Sequence, residues 1–125
     1  MAGEPIFIYG TLLDPRVLTR FAGRAAFRRA VPARLSGWRR VGLRGTPYPT
    51  LFRAPGEVQG LLLPPLPPES LARLAAYEGA SYGLVPVRVT TPRGPRRARA
   101  WIAARWRALP DVAWRAIVWR AFRSG

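Results

Sequence analysis

Short apolar runs punctuated by glycine and proline divide the chain into segments of two different periods. Ile6-Phe7-Ile8-Tyr9 is an unbroken apolar run stopped by Gly10, the pattern of a buried strand leading into a loop, here Gly10 to Leu13. Asp14 and Pro15 then precede Val17, Leu18, Phe21 and Ala22 at helical spacing. This predicts a helix with Asp14 as N-cap, proline in its first turn and Gly23 as its stop. Between Ala25 and Leu43 apolar and basic residues alternate loosely, with breaks at Pro32 and Gly37, which predicts an extended, partly exposed pair of strands. "TPYPTLF", Thr46 to Phe52, reads as a proline-stiffened loop entering a strand, and "VQGLLL", Val58 to Leu63, as a central strand halted by Pro64 and Pro65.

The second half repeats the alternation of helix and strand. A helix is predicted from about Glu69 to Glu78, ending at Gly79, with Leu71, Leu74 and Ala75 as its apolar stripe. The next position on that stripe, at i+7, is Glu78, a carboxylate where an apolar side chain is expected. Tyr82 to Thr91 alternates as a strand with Arg88 facing outward, Pro92 to Pro95 is a turn, and Arg97 to Ala104 is the hairpin partner. Trp114, Ile117, Val118, Ala121 and Phe122 mark a terminal amphipathic helix over about 110–123, with Asp111 in its first turn and Arg115, Arg120 and Arg123 on its other side. Two readings stay open for it: packing on the domain, or lying on an anionic membrane surface. Trp119 falls off its apolar face and is a candidate contact for a partner chain. With no repeat and no linker, the 125 residues are expected to form a single domain, 1–125.

Composition changes this picture in two ways. The chain is 49% hydrophobic and 11% aromatic, a folding composition, and it contains no run of roughly 18 apolar residues that would cross a bilayer. Its first residues lack a basic region ahead of an apolar segment, and it has no cysteine. Neither a secretory signal nor a disulfide framework is expected, and a cytoplasmic location is. The net charge is +15, and every cation is arginine. GC-rich coding accounts for arginine in place of lysine, but not for the shortage of acids. Such a field attracts nucleic acid, anionic lipid or acidic small molecules. The arginines are scattered, however, and no RNP-type or zinc-finger pattern accompanies them, so specific nucleic-acid recognition is not expected.

What is missing narrows the chemistry further. With no histidine, cysteine or lysine, the chain cannot build a Ser-His-Asp or Cys-His pair, a thiolate or imidazole metal site, a Schiff base or a Walker A loop. A general base must be a carboxylate or a tyrosine. Of the six acids, Asp14, Glu69 and Asp111 suit helix starts and Glu4 lies in an N-terminal segment expected to fray. Glu57, taken as a surface residue at a strand start, and Glu78 remain. A solvent-exposed Glu78 would be the bland alternative, at some cost from a negative charge near a helix C-terminus. Backbone N–H groups of Gly10, Thr11 and Leu12, projecting from a strand end toward a helix start, suit a carboxylate or a developing oxyanion.

"IFIYGTLLDP", "YPTLF", "VQGLLL" and "YEGASY", in this order and spacing, resemble the gamma-glutamylcyclotransferase-like family, and the likeness runs from about Ile6 to Ala104. The resemblance implies an α+β fold: a barrel-like mixed sheet with flanking helices, to which the terminal helix is an addition. It further implies a substrate-binding loop at Tyr9, Gly10, Thr11 and Leu12, a catalytic Glu78, and Tyr82 as the tyrosine that follows it, with Tyr48 as pocket lining. The family reaction closes a gamma-glutamyl group into 5-oxoproline and needs no cofactor and no metal, so the implied partner is a small gamma-glutamyl amine or peptide. Two positions depart from the family pattern: Ala75 where an aspartate is frequent, and Leu84 where an arginine is. Two alternatives stay open beside the enzyme, a non-catalytic binding module of the same fold and an arginine-rich nucleic-acid-associated protein. Oligomeric state is not legible in the sequence.

Overall fold

The computed structural model describes residues 3–114, with the elements β1 (Ile6–Ile8), α1 (Pro15–Ala22), α2 (Arg24–Arg29), β2 (Val31–Leu43), β3 (Pro49–Leu63), α3 (Pro68–Glu78), β4 (Tyr82–Thr91), β5 (Gly94–Ala103) and β6 (Ala108–Ala113). Neighbouring strands run β3-β1-β5-β4-β2-β6, and β2 also pairs with β3. That second pairing closes the first five strands into a mixed barrel, with β1 parallel to β5 and the other pairs antiparallel. The fold is α+β, as expected.

β1 is buried along its whole length, which is why it reads as a continuous apolar run. Phe7 and Tyr9 point into the barrel with Leu35, Leu51, Val58, Val89 and Ala100. Ile6 and Ile8 point outward, where Leu18, Ala22, Leu66, Leu74 and Trp101 form a second core beneath the helices. The close passage of β1 over β3 depends on Gly60. Gly60 directly precedes Leu61, the register partner of Ile8, and a Cβ on it would run into the Ile8 carbonyl oxygen and the Phe7 ring.

α1 forms as predicted: the Asp14 side chain accepts from the Arg16 N–H at 2.9 Å, Pro15 follows, and Gly23 closes the helix with φ of 91°. Elsewhere the structure corrects the reading. α2, a six-residue helix of arginine, alanine and phenylalanine, lies where extended chain was expected; arginine and alanine are good helix formers, and only Ala26 is fully buried there. Residues 31–43 form one strand rather than a pair, and the loop and strand predicted over 46–63 are one long strand, β3. Both strands turn a corner at a bulge, where the register between Ser36 and Trp38 shifts against Ala54, Pro55 and Gly56. Proline and glycine are at home in such a bulge, and this is why they looked like breaks.

The terminal helix is corrected at its start. Pro110 and Asp111 belong to β6, an edge strand that pairs with Val41–Leu43 of β2 and leaves 110–112 outside the register. Positions 115–123 of the predicted helix, Trp119 included, lie outside the described residues. Glu4 is not frayed: its carboxylate meets Arg99 at 3.4 Å, and the Arg99 N–H donates to the Pro5 carbonyl at 2.9 Å. Glu57 is exposed in the middle of β3, 3.7 Å from Arg34. Ala75 is exposed, so the buried side of α3 runs through Ser70, Leu71, Leu74, Tyr77 and Glu78. Among the described residues no helix is long and apolar enough to cross a membrane.

Candidate functional site

One end of the barrel opens into a cavity of about 120 Å³. The end of β1 and the 3₁₀ turn after it supply Tyr9, Gly10, Thr11 and Leu12; the end of α3 supplies Tyr77 and Glu78; the start of β4 supplies Tyr82; and the chain entering β3 supplies Tyr48, with Pro49 as the first residue of that strand and Trp101 of β5 as part of the wall. The candidate site residues named from the sequence, Tyr9, Gly10, Thr11, Leu12, Tyr48, Glu78 and Tyr82, thus lie on one cavity, although α1, α2, β2, β3 and most of α3 separate Tyr9 from Glu78 along the chain.

Each wall has a local reason. Gly10 packs directly against the Pro49 ring, and a Cβ at this position would sit 2.8 Å from Pro49 Cγ. The turn that follows is closed by Leu13 N–H to the Gly10 carbonyl at 2.9 Å and Asp14 N–H to the Thr11 carbonyl at 3.2 Å. The N–H groups of Gly10, Thr11 and Leu12 precede these bonds at the start of the turn. Tyr82 donates its hydroxyl to the Pro49 carbonyl at 2.6 Å, tying β4 to the beginning of β3. Thr50, with no exposure, accepts from the Ala103 N–H at 3.0 Å and holds the same region to β5. Tyr9 donates its hydroxyl to the Trp101 carbonyl, so that group serves the barrel and is not free for a ligand.

Glu78 is the last residue of α3, and Gly79 behind it adopts φ of 86°, the backbone that lets the chain leave the helix at once toward β4. Its carboxyl is pushed up to about 7 by burial. The carbonyl end of α3 acts in the same direction. Burial, followed by the charge of Glu78, also raises the Tyr82 phenol, and burial holds the Tyr9 phenol well above its usual value. Both tyrosines are therefore neutral hydrogen-bonding groups at neutral pH. Glu78 is the one member of this set that exchanges a proton there.

Tyr77 belongs to the site and was not singled out by sequence. Its hydroxyl and that of Thr11 are 2.7 Å apart, and its ring packs on Phe21 with centroids 4.6 Å apart. The hydrogen bond joins the turn after β1 to the end of α3. A signal was available, since Tyr77 follows Leu74 by three positions on the buried side of the helix. Tyr48 lines the mouth and is 45% exposed. Among the described residues no cluster of acids could hold a metal ion.

Residues 6–116 match the family described as gamma-glutamyl cyclotransferase, AIG2-like. The chain belongs to that family. Protein AIG2 C of Arabidopsis thaliana is 34% identical over 85 residues, which make up 67% of this chain and 50% of that protein. AIG2-like protein A of the same plant is 35% identical over 83 residues, 66% of this chain and 49% of that one. The chain therefore spans about half the length of the curated relatives it matches. Among solved structures, an Arabidopsis thaliana protein known in solution superposes with a TM-score of 0.74 at 25% identity, over 99% of this chain and 78% of that one. A gamma-glutamyl cyclotransferase superposes with a TM-score of 0.63 at 21% identity, over 81% and 66%; this likeness is one of fold. Against the family pattern, neither departure reaches the cavity of this AIG2-like chain: Ala75 is exposed on α3, and Leu84 packs on the outer core.

Proposed function

We propose that this AIG2-like chain is a cyclotransferase that releases 5-oxoproline from a gamma-glutamyl amine or peptide, with Glu78 as its general base and acid. The observation that carries the reading is a half-buried carboxyl whose pKa is raised to about 7, inside a cavity rimmed by neutral hydroxyls. In the reaction the substrate's alpha-amine nitrogen bonds to its own side-chain carbonyl carbon, and the amide C–N bond to the leaving group breaks. Glu78 accepts a proton from the attacking nitrogen and returns one to the leaving nitrogen, so the group ends the cycle as it began. A carboxyl with a pKa near the working pH suits both halves of that transfer.

Ring closure within one molecule needs chiefly that the substrate be held folded, and a small cavity does this. N–H groups of Gly10, Thr11 and Leu12 are assigned to the alpha-carboxylate or to the oxyanion that forms on the attacked carbonyl. Tyr82 fixes the cavity wall beside Glu78, and Tyr48 lies where the departing group leaves.

The test is a mass-spectrometric search for 5-oxoproline after the protein is incubated with a panel of gamma-glutamyl peptides and amines, with Glu78→Gln run in parallel. Product from the wild type, reduced by about 10²-fold or more in the variant, is the expected outcome. Ligand binding without product in either protein would instead favour a binding module of the same fold.

A further inference from the structure

Beyond the cavity stands a cation that the reaction scheme leaves without a role. Ala103 of β5 pairs across to Tyr82, and a short 3₁₀ turn, Arg105–Arg107, follows directly. This turn is fastened to the 44–48 segment that carries Tyr48: the Arg44 N–H donates to the Arg107 carbonyl at 2.8 Å, and the Leu43 N–H to the Tyr48 carbonyl at 2.9 Å. Arg107 is thereby tied through backbone to the segment that carries Tyr48, and its charge reaches the Tyr82 phenol. Its guanidinium carbon is 5.3 Å from the centroid of the Trp106 ring, and Trp106 is 70% exposed. The Arg107 Nε is withdrawn from solvent without a hydrogen-bond partner among the described residues. A donor atom withdrawn from solvent without a partner is costly unless a ligand completes it.

The side on which this charge acts is also visible. Arg107 lowers the Tyr82 phenol against the effect of burial, whereas burial is the cause of the raised Glu78 carboxyl. The cation thus acts on the Tyr82 side of the cavity. If the folded glutamyl group sits between Glu78 and the turn after β1, whatever departs from it exits past Tyr82 toward Tyr48, Trp106 and Arg107.

We propose that Arg107 reads a carboxylate on the leaving group, so that the substrate class is the gamma-glutamyl amino acid or peptide rather than the neutral gamma-glutamyl amine. The proposal rests on the cyclotransferase reading and narrows it. A guanidinium offers the paired donors that a carboxylate accepts, and its stacking on Trp106 holds the fork in place.

Three matched substrates decide the matter: gamma-glutamylalanine, its C-terminal amide, and gamma-glutamylethylamine, each followed by 5-oxoproline release. The wild type is expected to favour the free carboxylate over the amide by about tenfold or more in kcat/KM, the ratio that one charge-assisted hydrogen bond supplies. Arg107→Gln should erase that preference through KM while leaving the amide's kinetics unchanged, and Arg107→Lys should restore part of it. Equal wild-type rates on the acid and its amide would overturn the proposal and leave the cyclotransferase reading standing, whether or not the Gln variant folds. An equal loss on all three substrates in Arg107→Gln would also overturn it, marking a structural role. No product from any of the three would overturn the parent reading and this one with it.

Discussion

Glu78 links stability and the proposed chemistry in a single side chain. Its pKa of about 7 in the fold, against an ordinary 4.5, means that the folded protein holds the proton more tightly than the unfolded chain does. The associated stability is complete below about 4.5 and is lost as pH rises through 7, an effect of order ~3 kcal/mol. Glu78→Gln should therefore raise the Tm at pH 8 and change it little at pH 4, which thermal melts at the two values would show. Activity should run the opposite way. A base works when ionised, so kcat/KM is expected to rise with pH to a plateau with an apparent pKa near 7, read from initial rates between pH 5 and 9. At this scale the sequence was informative wherever a side chain contradicted its surroundings. Glu78 stood out because a carboxylate lay on an apolar stripe, although Ala75, used to draw that stripe, proved exposed. Tyr77 gave no such conflict, because an aromatic residue on a buried helix face looks like ordinary packing, and its bond to Thr11 joins positions that only the fold brings together.

Among the elements, the crossing of β1 over β3 is the most demanding. Gly60→Ala would place a methyl group against backbone at the Ile8 carbonyl as well as the Phe7 ring, and backbone cannot swing aside as a long side chain can. A loss of about 3 kcal/mol is expected, at the upper end for overpacking, and chemical denaturation would measure it; a change below ~1 kcal/mol would show that β1 has room to move. β1, α1, α3 and the β4–β5 hairpin were legible because each has one period and a clear stop, such as Gly23 after α1 and Gly79 after α3. The bent β2–β3 pair was not. Its Pro32, Gly37, Pro55 and Gly56 carry the usual signs of chain breaks, yet they serve a corner and an edge within continuous strands. β6 failed for a related reason: Pro110 followed by Asp111 is as good a helix start as it is an edge bulge, and the pairing with Val41–Leu43 that decides between them is set by distant residues.

For the whole molecule the dominant quantity is a net charge of +15. Arg88 and Arg97 even oppose each other directly across β4 and β5, a pairing that costs stability. A field of this sign draws anions toward the protein, and salt screens it over a Debye length of about 8 Å at physiological ionic strength. For a gamma-glutamyl substrate of net negative charge, kcat/KM should fall by about threefold or more between low and physiological salt, while that for a substrate without net charge stays level; stopped assays at graded sodium chloride would resolve the two. Loss of both rates in parallel would point to a salt effect on the fold instead. Barrel closure was not readable from local patterns, because it depends on β2 meeting β3 on one edge while sharing its other edge between β4 and β6.

That shared edge separates two responsibilities within one small protein. The barrel closes without β6, and the groups around Glu78 all come from residues before Ala104. The segment after β5 only leans on the finished barrel, through Arg107 to Arg44, β6 to β2 and the Trp114 indole to the Pro47 carbonyl at 2.8 Å. Residues proposed to perform the ring closure and residues proposed to select what departs are therefore carried by different stretches of chain. On the proposed reading, a change confined to the segment after β5 alters the customer and leaves the reaction as it was.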